Sequence, residues 1–437
     1  MQAKGSSDLI RALTQSLLED TMLASIFCHN FLSRALSWMH IKSRKSIESH
    51  TQSLLGGHAS LSLSSVGRHL PGRAQVKHKI NMCWRFLSNT KLHKAQISIY
   101  KSLFVSVLTP LNELLIAVDW TGCCSSDSHM LRASLVHAGR SIPIYNEIHS
   151  QQDLGTEQVH NNFLINLKTI IPEGKRVIII TDAGFKTPWF TQVRRLGWYF
   201  IGRVSGTINY QLREDKRWSP IQKLHSFVQR GETYYLGVGR LGQDSKTRIQ
   251  VLLTAYWGEK KGRKNPRPKY PDAEKRYAKM YAEPWVLASN LHEYSSLDVE
   301  KNQQEVAILT REIYSKRMQI EQNFRDDKSE RFGFGWRFSR TKDRNKMSLL
   351  ILIATIATLI LWMIGFAAEK KKLQYRFQAN TIRTHRVLSL LYLAKQLITH
   401  GLKCLQIRKF HRIITLFQLE YNQISPFKQF GKGEWIK

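Results

Sequence analysis

Between residues 112 and 205 short apolar runs alternate with stretches of helical periodicity, a pattern that predicts an α/β layer with a mixed or parallel sheet. Five strands are read there: LLIAVDW over 114–120, LRASLVHA over 131–138, SIPIYNEIH over 141–149, RVIIITDAG over 176–184 and WYFIGRVS over 198–205. A helix from Glu157 to Ile170 separates the third strand from the fourth, and another from Thr187 to Leu196 separates the fourth from the fifth. Residues 1–110 show no alternation and read as mostly helical. Leu63, Val66 and Leu70 mark one helix, Pro71-Gly72 a break, and Val76 through Ile80 to Trp84 a second helix. From 206 to 300 the pattern turns to β-type runs such as ETYYLGVGRL and RIQVLLTAYW with glycine turns, which predicts a β-rich insertion. After residue 300 the chain is helical again, and from Gln374 onward it reads as a basic helical tail.

Charge changes this picture from a fold to a partner. Lys and Arg number 66 against 33 Asp and Glu, a net charge of +33 spread over most of the chain, so a polyanion crossing several regions is the expected ligand. On the first two helices Arg68, Arg73, Lys77, Lys79 and Arg85 lie beside the apolar positions, compatible with two helices and a turn set against DNA phosphates or with a helical bundle that has a solvated basic face. Residues 258–280 add nine Lys or Arg against three acids, either a DNA-tracking loop or a solvated one. The other polyanion is a membrane. Met347 to Ala368 runs 22 residues without a charge, long enough to span a bilayer, but both its flanks are basic and give no orientation. A helix buried on all sides of an α/β core has the same character. The five cysteines, Cys28, Cys83, Cys123, Cys124 and Cys404, have no CxxC spacing, and the first thirty residues lack a signal-peptide pattern, so a reducing cytoplasm is expected.

Candidate chemistry sits at the strand ends. Asp119 follows LLIAV and Asp182 follows VIIIT, where open α/β sheets place ligand sites. A carboxylate there either caps the next loop or pairs with a cation, and an oxygen-only set suits Mg²⁺ or Mn²⁺. The stretch REIYSKRMQIEQNFRDDKSE, read as one helix at about 100° per residue, puts Tyr314, Arg317, Glu321 and Lys328 within an arc of about 60° beside an apolar stripe of Ile313, Ile320 and Phe324. Glu321 can then complete a carboxylate set for two metal ions, with Arg317, Lys328 and Tyr314 facing phosphate oxygens.

The order Tyr314, Arg317, Glu321, Lys328 resembles the signature of the insertion-sequence-four family of bacterial DDE transposases, closest to its Tn ten branch. The likeness runs from VDWTG through TDAGF and EPWVLASNL to YSKRMQIEQNFRDDKS. The resemblance implies an RNase H-like core, a mixed five-stranded sheet with flanking helices, interrupted by the β-rich insertion. Its expected parts are a helical DNA-binding region over 1–110, core over 111–205, insertion over 206–300, core with the catalytic Glu over 301–370 and a helical C-terminal region over 371–437. It also implies that Asp119, Asp182 and Glu321 hold two Mg²⁺ ions, with Mn²⁺ as a substitute, and that one site cuts and pastes DNA through hydrolysis, a hairpin and strand transfer. Trp285 and Met318 are the candidates to hold and wedge a flipped base, and Arg73, Lys77, Lys79 and Arg85 to contact DNA. The partners implied are the inverted repeats at the element's ends, target DNA and a second copy of the chain, on the bacterial nucleoid and with no membrane. A nuclease without strand transfer and a non-catalytic DNA-binding derivative are the alternatives.

Overall fold

The structure is a computed structural model that describes residues 24–56, 59–123, 127–137, 139–259, 283–294, 297–379, 381–400 and 410–423. Cys124, Cys404 and all but the first two residues of the expected basic loop at 258–280 lie outside these.

Apolar alternation produces the strands where it is read. They are β1 (Glu113–Gly122), β2 (Ser128–Leu135), β3 (Ile142–Ser150), β4 (Arg176–Thr181) and β5 (Tyr199–Val204). β2 lies antiparallel between β1 and β3, while β1, β4 and β5 run parallel to one another. Ile178, Ile179 and Ile180 at the centre are fully buried, as a strand covered on both faces requires. This mixed α/β architecture is consistent with an RNase H-like fold.

The expected five-stranded limit is corrected. β6 (Asn209–Leu212), β7 (Ser219–Pro220), β8 (Thr233–Leu241), β9 (Ile249–Tyr256) and β10 (Trp285–Ser289) join the same sheet, whose order is β3-β2-β1-β4-β5-β10-β9-β8-β6-β7. β10 is antiparallel to both β5 and β9, so it satisfies the open edge that β5 would otherwise present. Periodicity shows that a segment is a strand but carries no record of its neighbour.

Helices cover both faces. They are α1 (24–35), α2 (Ile41–Leu55), α3 (Leu63–Arg68), α4 (Val76–Leu87), α5 (Thr90–Leu108), α6 (Glu157–Ile170), α7 (Thr187–Arg195), α8 (Gln303–Ser315), α9 (Met318–Lys328), α10 (Arg344–Lys370), α11 (Leu390–His400) and α12 (Phe410–Gln423). Helix α10 contains the uncharged segment. Asp343 caps it by accepting from the Asn345 and Lys346 amides at 2.9 and 3.1 Å, a bond set that stabilises a helix start by ~1 kcal/mol. It is long and apolar enough to cross a membrane, yet its apolar stretch is buried against β3, α2, α5, α11 and α12. The segment expected as a tail is docked as well. The Tyr421 hydroxyl lies 3.1 Å from the Leu115 amide of β1 as its acceptor, and Asn422 meets Asn112 and Pro110.

Candidate active site

The last bridged pair between parallel β1 and β4 is Ala117 with Ile180. Two residues further along in each case stand Asp119, inside β1, and Asp182, one residue past the end of β4, so the parallel register brings both to the same end of the sheet, where each feels the other's charge. Each uses one oxygen locally. Asp119 Oδ1 accepts from the Trp120 amide at 2.8 Å, and Asp182 Oδ1 accepts from the Gly184 amide at 2.9 Å. The loop-cap reading holds for one oxygen of Asp182, whereas Asp119 lies inside β1 and its bond is to the next residue of the same strand; in both, Oδ2 is left for other chemistry.

Arg317 takes that second oxygen of Asp119. Its guanidinium lies 3.4 Å from Asp119 Oδ2 and 2.5 Å from Glu321 Oε1, which bridges the strand and the helix that carry the two acids. The single helix expected over these residues is corrected to two. α8 ends at Ser315 and α9 begins at Met318, with i to i−3 bonds at Lys316 and Arg317 tightening the joint. The break comes where the buried Tyr314 anchors the first helix, and it turns Arg317 toward Asp119 rather than along a continuous stripe. Ile313, Ile320 and Phe324 are buried beneath, as the apolar spacing requires.

Electrostatics couples the three carboxylates. Burial first, then the neighbouring Asp182, with Glu321 adding, push the Asp119 carboxyl up to about 7 against the opposing pull of Arg317. Burial works against the charge of Arg317, but Tyr314, Glu321 and Asp119 more than offset it and raise its pKa. Tyr314 is raised chiefly by burial. Lys328 donates to the Thr121 hydroxyl on β1 at 2.5 Å and is lowered mainly by burial and then by Arg337. The four signature residues thus meet at one end of β1 and β4.

Trp285 opens β10 beside them. Its ring centroid lies 5.1 Å from that of Tyr314 and 5.7 Å from that of Tyr256, and it is half-buried. Met318 Sδ lies 3.7 Å from the Arg317 guanidinium. The N-terminal candidates are elsewhere. Arg73 in the turn before α4, with Lys77 and Arg85 on it, is exposed, while Lys79 is half-buried.

Three features stand out that the sequence reading did not count among the site residues. Arg203 on β5 acts electrostatically on Tyr314, and its Nε is buried with no hydrogen-bond partner among the described residues. The signal available was an arginine inside the run YFIGRV. Trp84 is half exposed on α4, with Lys346 Nζ 5.4 Å from its ring centroid. Finally, Arg331, Arg337, Arg340, Lys342 and Arg344 are all exposed on the segment leading from Lys328 into α10.

Among the described residues no three His, Cys, Asp or Glu side chains stand close enough to hold a metal ion as placed, since Arg317 lies between two of the acids. The donor set nevertheless suits a hard divalent cation. It is all oxygen, Asp182 keeps a second oxygen beyond its bond to the Gly184 amide, and Asp182 and Glu321 add to burial in raising the Asp119 carboxyl against the pull of Arg317.

The comparisons with known proteins follow this geometry. No curated protein matches the chain. Residues 110–359, more than half of the chain and spanning β1 through most of α10, match the family model described as the transposase DDE domain. The chain with two level aspartates and a glutamate beside them belongs to the DDE transposases.

Proposed function

We propose that this chain is a cut-and-paste DNA transposase of the insertion-sequence-four type, in which Asp119, Asp182 and Glu321 are the catalytic carboxylates. The observation that carries the reading is the coupling of the three acids at one sheet end, with Arg317 bridging Asp119 and Glu321.

Asp119, Asp182 and Glu321 would hold divalent metal ions, which would supply Lewis-acid activation for phosphodiester cleavage. The chain's own residues do the rest. Arg317, released from its two acids, turns to a phosphate oxygen of the cleaved strand, and Tyr314 and Lys328 hold others. Arg203, whose charge acts on Tyr314, joins them in holding phosphate. Trp285 offers an indole face to an unpaired base, a contact that contributes roughly 1–3 kcal/mol, and Met318 wedges the gap it leaves. Successive hydrolysis, hairpin formation and strand transfer then reuse one site.

In this reading residues 1–110 bind the element's ends through α4 and its flanks, with Arg73, Lys77, Lys79 and Arg85 on phosphates. Residues 206–300 form the insertion, residues 111–205 and 301–370 the core, and residues 371–437 a C-terminal helical region. Two DNA ends need two sites, so the working form is a homodimer.

The test is a cleavage and joining assay with Mg²⁺ on duplexes that end in the inverted repeats flanking the gene. Hairpins and joined products are expected, and hydrolysed ends alone would mean a nuclease. Asp119→Asn, Asp182→Asn and Glu321→Gln are each expected to lose cleavage by at least about 10³-fold while binding ends normally. Unchanged cleavage in any of them removes that residue from the set, and unchanged cleavage in all three sinks the reading.

A further inference from the structure

Arg132 stands directly opposite Asp119 in the antiparallel pairing of β1 and β2, so its backbone is fixed to that of the aspartate. Its side chain is buried and spreads across three elements. Nε donates to Asn146 Oδ1 of β3 at 2.6 Å, and one terminal nitrogen donates to Asp327 Oδ2 at 2.6 Å and to Asn323 Oδ1, both on α9. The guanidinium is also packed against the rings of Phe324 and Trp336, at 5.1 and 5.3 Å from their centroids. Asn146 passes the chain of bonds to Thr355 of α10 at 3.1 Å.

The same hairpin holds α9 at other points. Arg140 pairs with Asp326 at 2.8 Å and donates to Gln322, and the His137 amide donates to Gln319 at 2.9 Å. Measured around α9 from Glu321, at about 100° per residue, these five contact residues fall between about 100° and 240°, while Lys328 falls about 20° from Glu321. The hairpin therefore grips the back of the helix whose front carries Glu321 and Lys328. A buried arginine fork that binds three partners fixes rotation and translation together, which a single point charge does not.

We propose that Arg132 is a positioning residue that sets the distance and rotation of Glu321 relative to Asp119. This rests on the reading that Asp119 and Glu321 belong to one catalytic set. A buried ion pair is weak evidence for stability by itself, so the alternative is that the cluster only helps the chain to fold.

The experiment uses the full chain with Arg132→Lys, which keeps the charge facing Asp327 but loses the fork, and with Asn323→Ala, which removes one contact from α9. Both are compared with wild type for thermal midpoint, affinity for end duplex, single-turnover cleavage in Mg²⁺ and Mn²⁺ affinity of the DNA-free protein by electron paramagnetic resonance. Arg132→Lys is expected to melt near wild type and bind ends within about twofold, with cleavage and Mn²⁺ affinity each down about 10–100-fold, the range seen for displaced or poorly supported reactive groups. Asn323→Ala is expected to show the same split, and it decides the matter if Arg132→Lys fails to fold. Cleavage and Mn²⁺ affinity within twofold of wild type in the folded variant overturn the proposal. So does a loss that only follows the folded fraction, or failure of both variants to fold, since either assigns the cluster to stability. Wild-type protein that cuts no end, or Glu321→Gln that still cuts, would instead sink the function on which the proposal rests.

Discussion

Asp119→Asn separates the stability cost of the site from its chemistry. In the metal-free protein burial and the neighbouring acids raise Asp119 from 3.8 to about 7. That is about 3 units, or ~4 kcal/mol at about 1.36 kcal/mol per unit, as an upper value. A native pKa above the unfolded one means that the folded chain holds the proton more tightly. Stability is therefore lost as pH rises from about 4 to about 7, and the loss is complete above that window. Asparagine keeps the acceptor for the Trp120 amide and carries no charge to bury; the pull of Arg317 is already contained in the shift, and halving the upper value for relaxation and solvent screening sets an expected net gain of ~2 kcal/mol at pH 8. An unfolding entropy of about 2.1 cal/mol/K per residue makes ~1 kcal/mol equal to about 1 °C for a chain this long, which sets the expected rise in melting midpoint at about 2 °C. The assay is thermal unfolding in EDTA at pH 8 and pH 4, with cleavage measured in parallel. The variant should be the more stable protein at pH 8, match wild type at pH 4, and cut no DNA. A variant no more stable than wild type at pH 8, or a gain unchanged at pH 4, refutes the reasoning.

Other expectations follow from buried groups and close contacts. His137 lies among Trp362, Phe417 and Tyr421, both its ring nitrogens lack hydrogen-bond partners among the described residues, and burial lowers it to about 3. The unfolded chain takes up that proton first, so stability falls as pH drops from about 6.5 toward 3, and His137→Phe should flatten this acid limb in denaturant titrations. A Cβ on Gly365 of α10 would stand 2.1 Å from the Leu390 carbonyl oxygen of α11, so Gly365→Ala should lower the thermal midpoint by about 1–3 °C, from an overpacking cost of about 1–3 kcal/mol. Arg203→Ala should leave the midpoint unchanged, weaken end binding and reduce the salt dependence of log K by about one phosphate contact. A salt slope equal to that of wild type would place Arg203 off the DNA.

What could be read from the chain alone divides along physical lines. Local periodicity located β1, β4 and β5 to within two or three residues at each end and both limits of α6, because each is set by burial of its own side chains, on both faces of β4 and on one face of α6. β2 begins three residues earlier than its apolar run, at Ser128, because backbone pairing with β1 extends it past the apolar residues. The level placement of Asp119 and Asp182 follows from two strand ends that the pattern made visible. The break before Met318 was hidden because Lys316 and Arg317 are ordinary helix formers, and the ion pair of Arg317 with Asp119 at that joint is a tertiary contact that local spacing does not record. Partners distant in sequence left no trace: nothing in either segment joins Arg132 to Asp327, and β10 reads as part of an insertion rather than as the neighbour of β5.

Helix α10 also has a consequence for how the protein is made. Of the elements that cover it, α2, α4, α5 and β3 are synthesised before it, and α11 and α12 after. The stretch that most resembles a membrane anchor thus leaves the ribosome when most of its cradle already exists, and folding can capture it before the membrane-insertion machinery does. Order of synthesis becomes part of the protein's address. A gene fragment that kept α10 but lost the helices before β1 would release the same 22 uncharged residues with half of their cradle missing, and such fragments should collect in the membrane fraction.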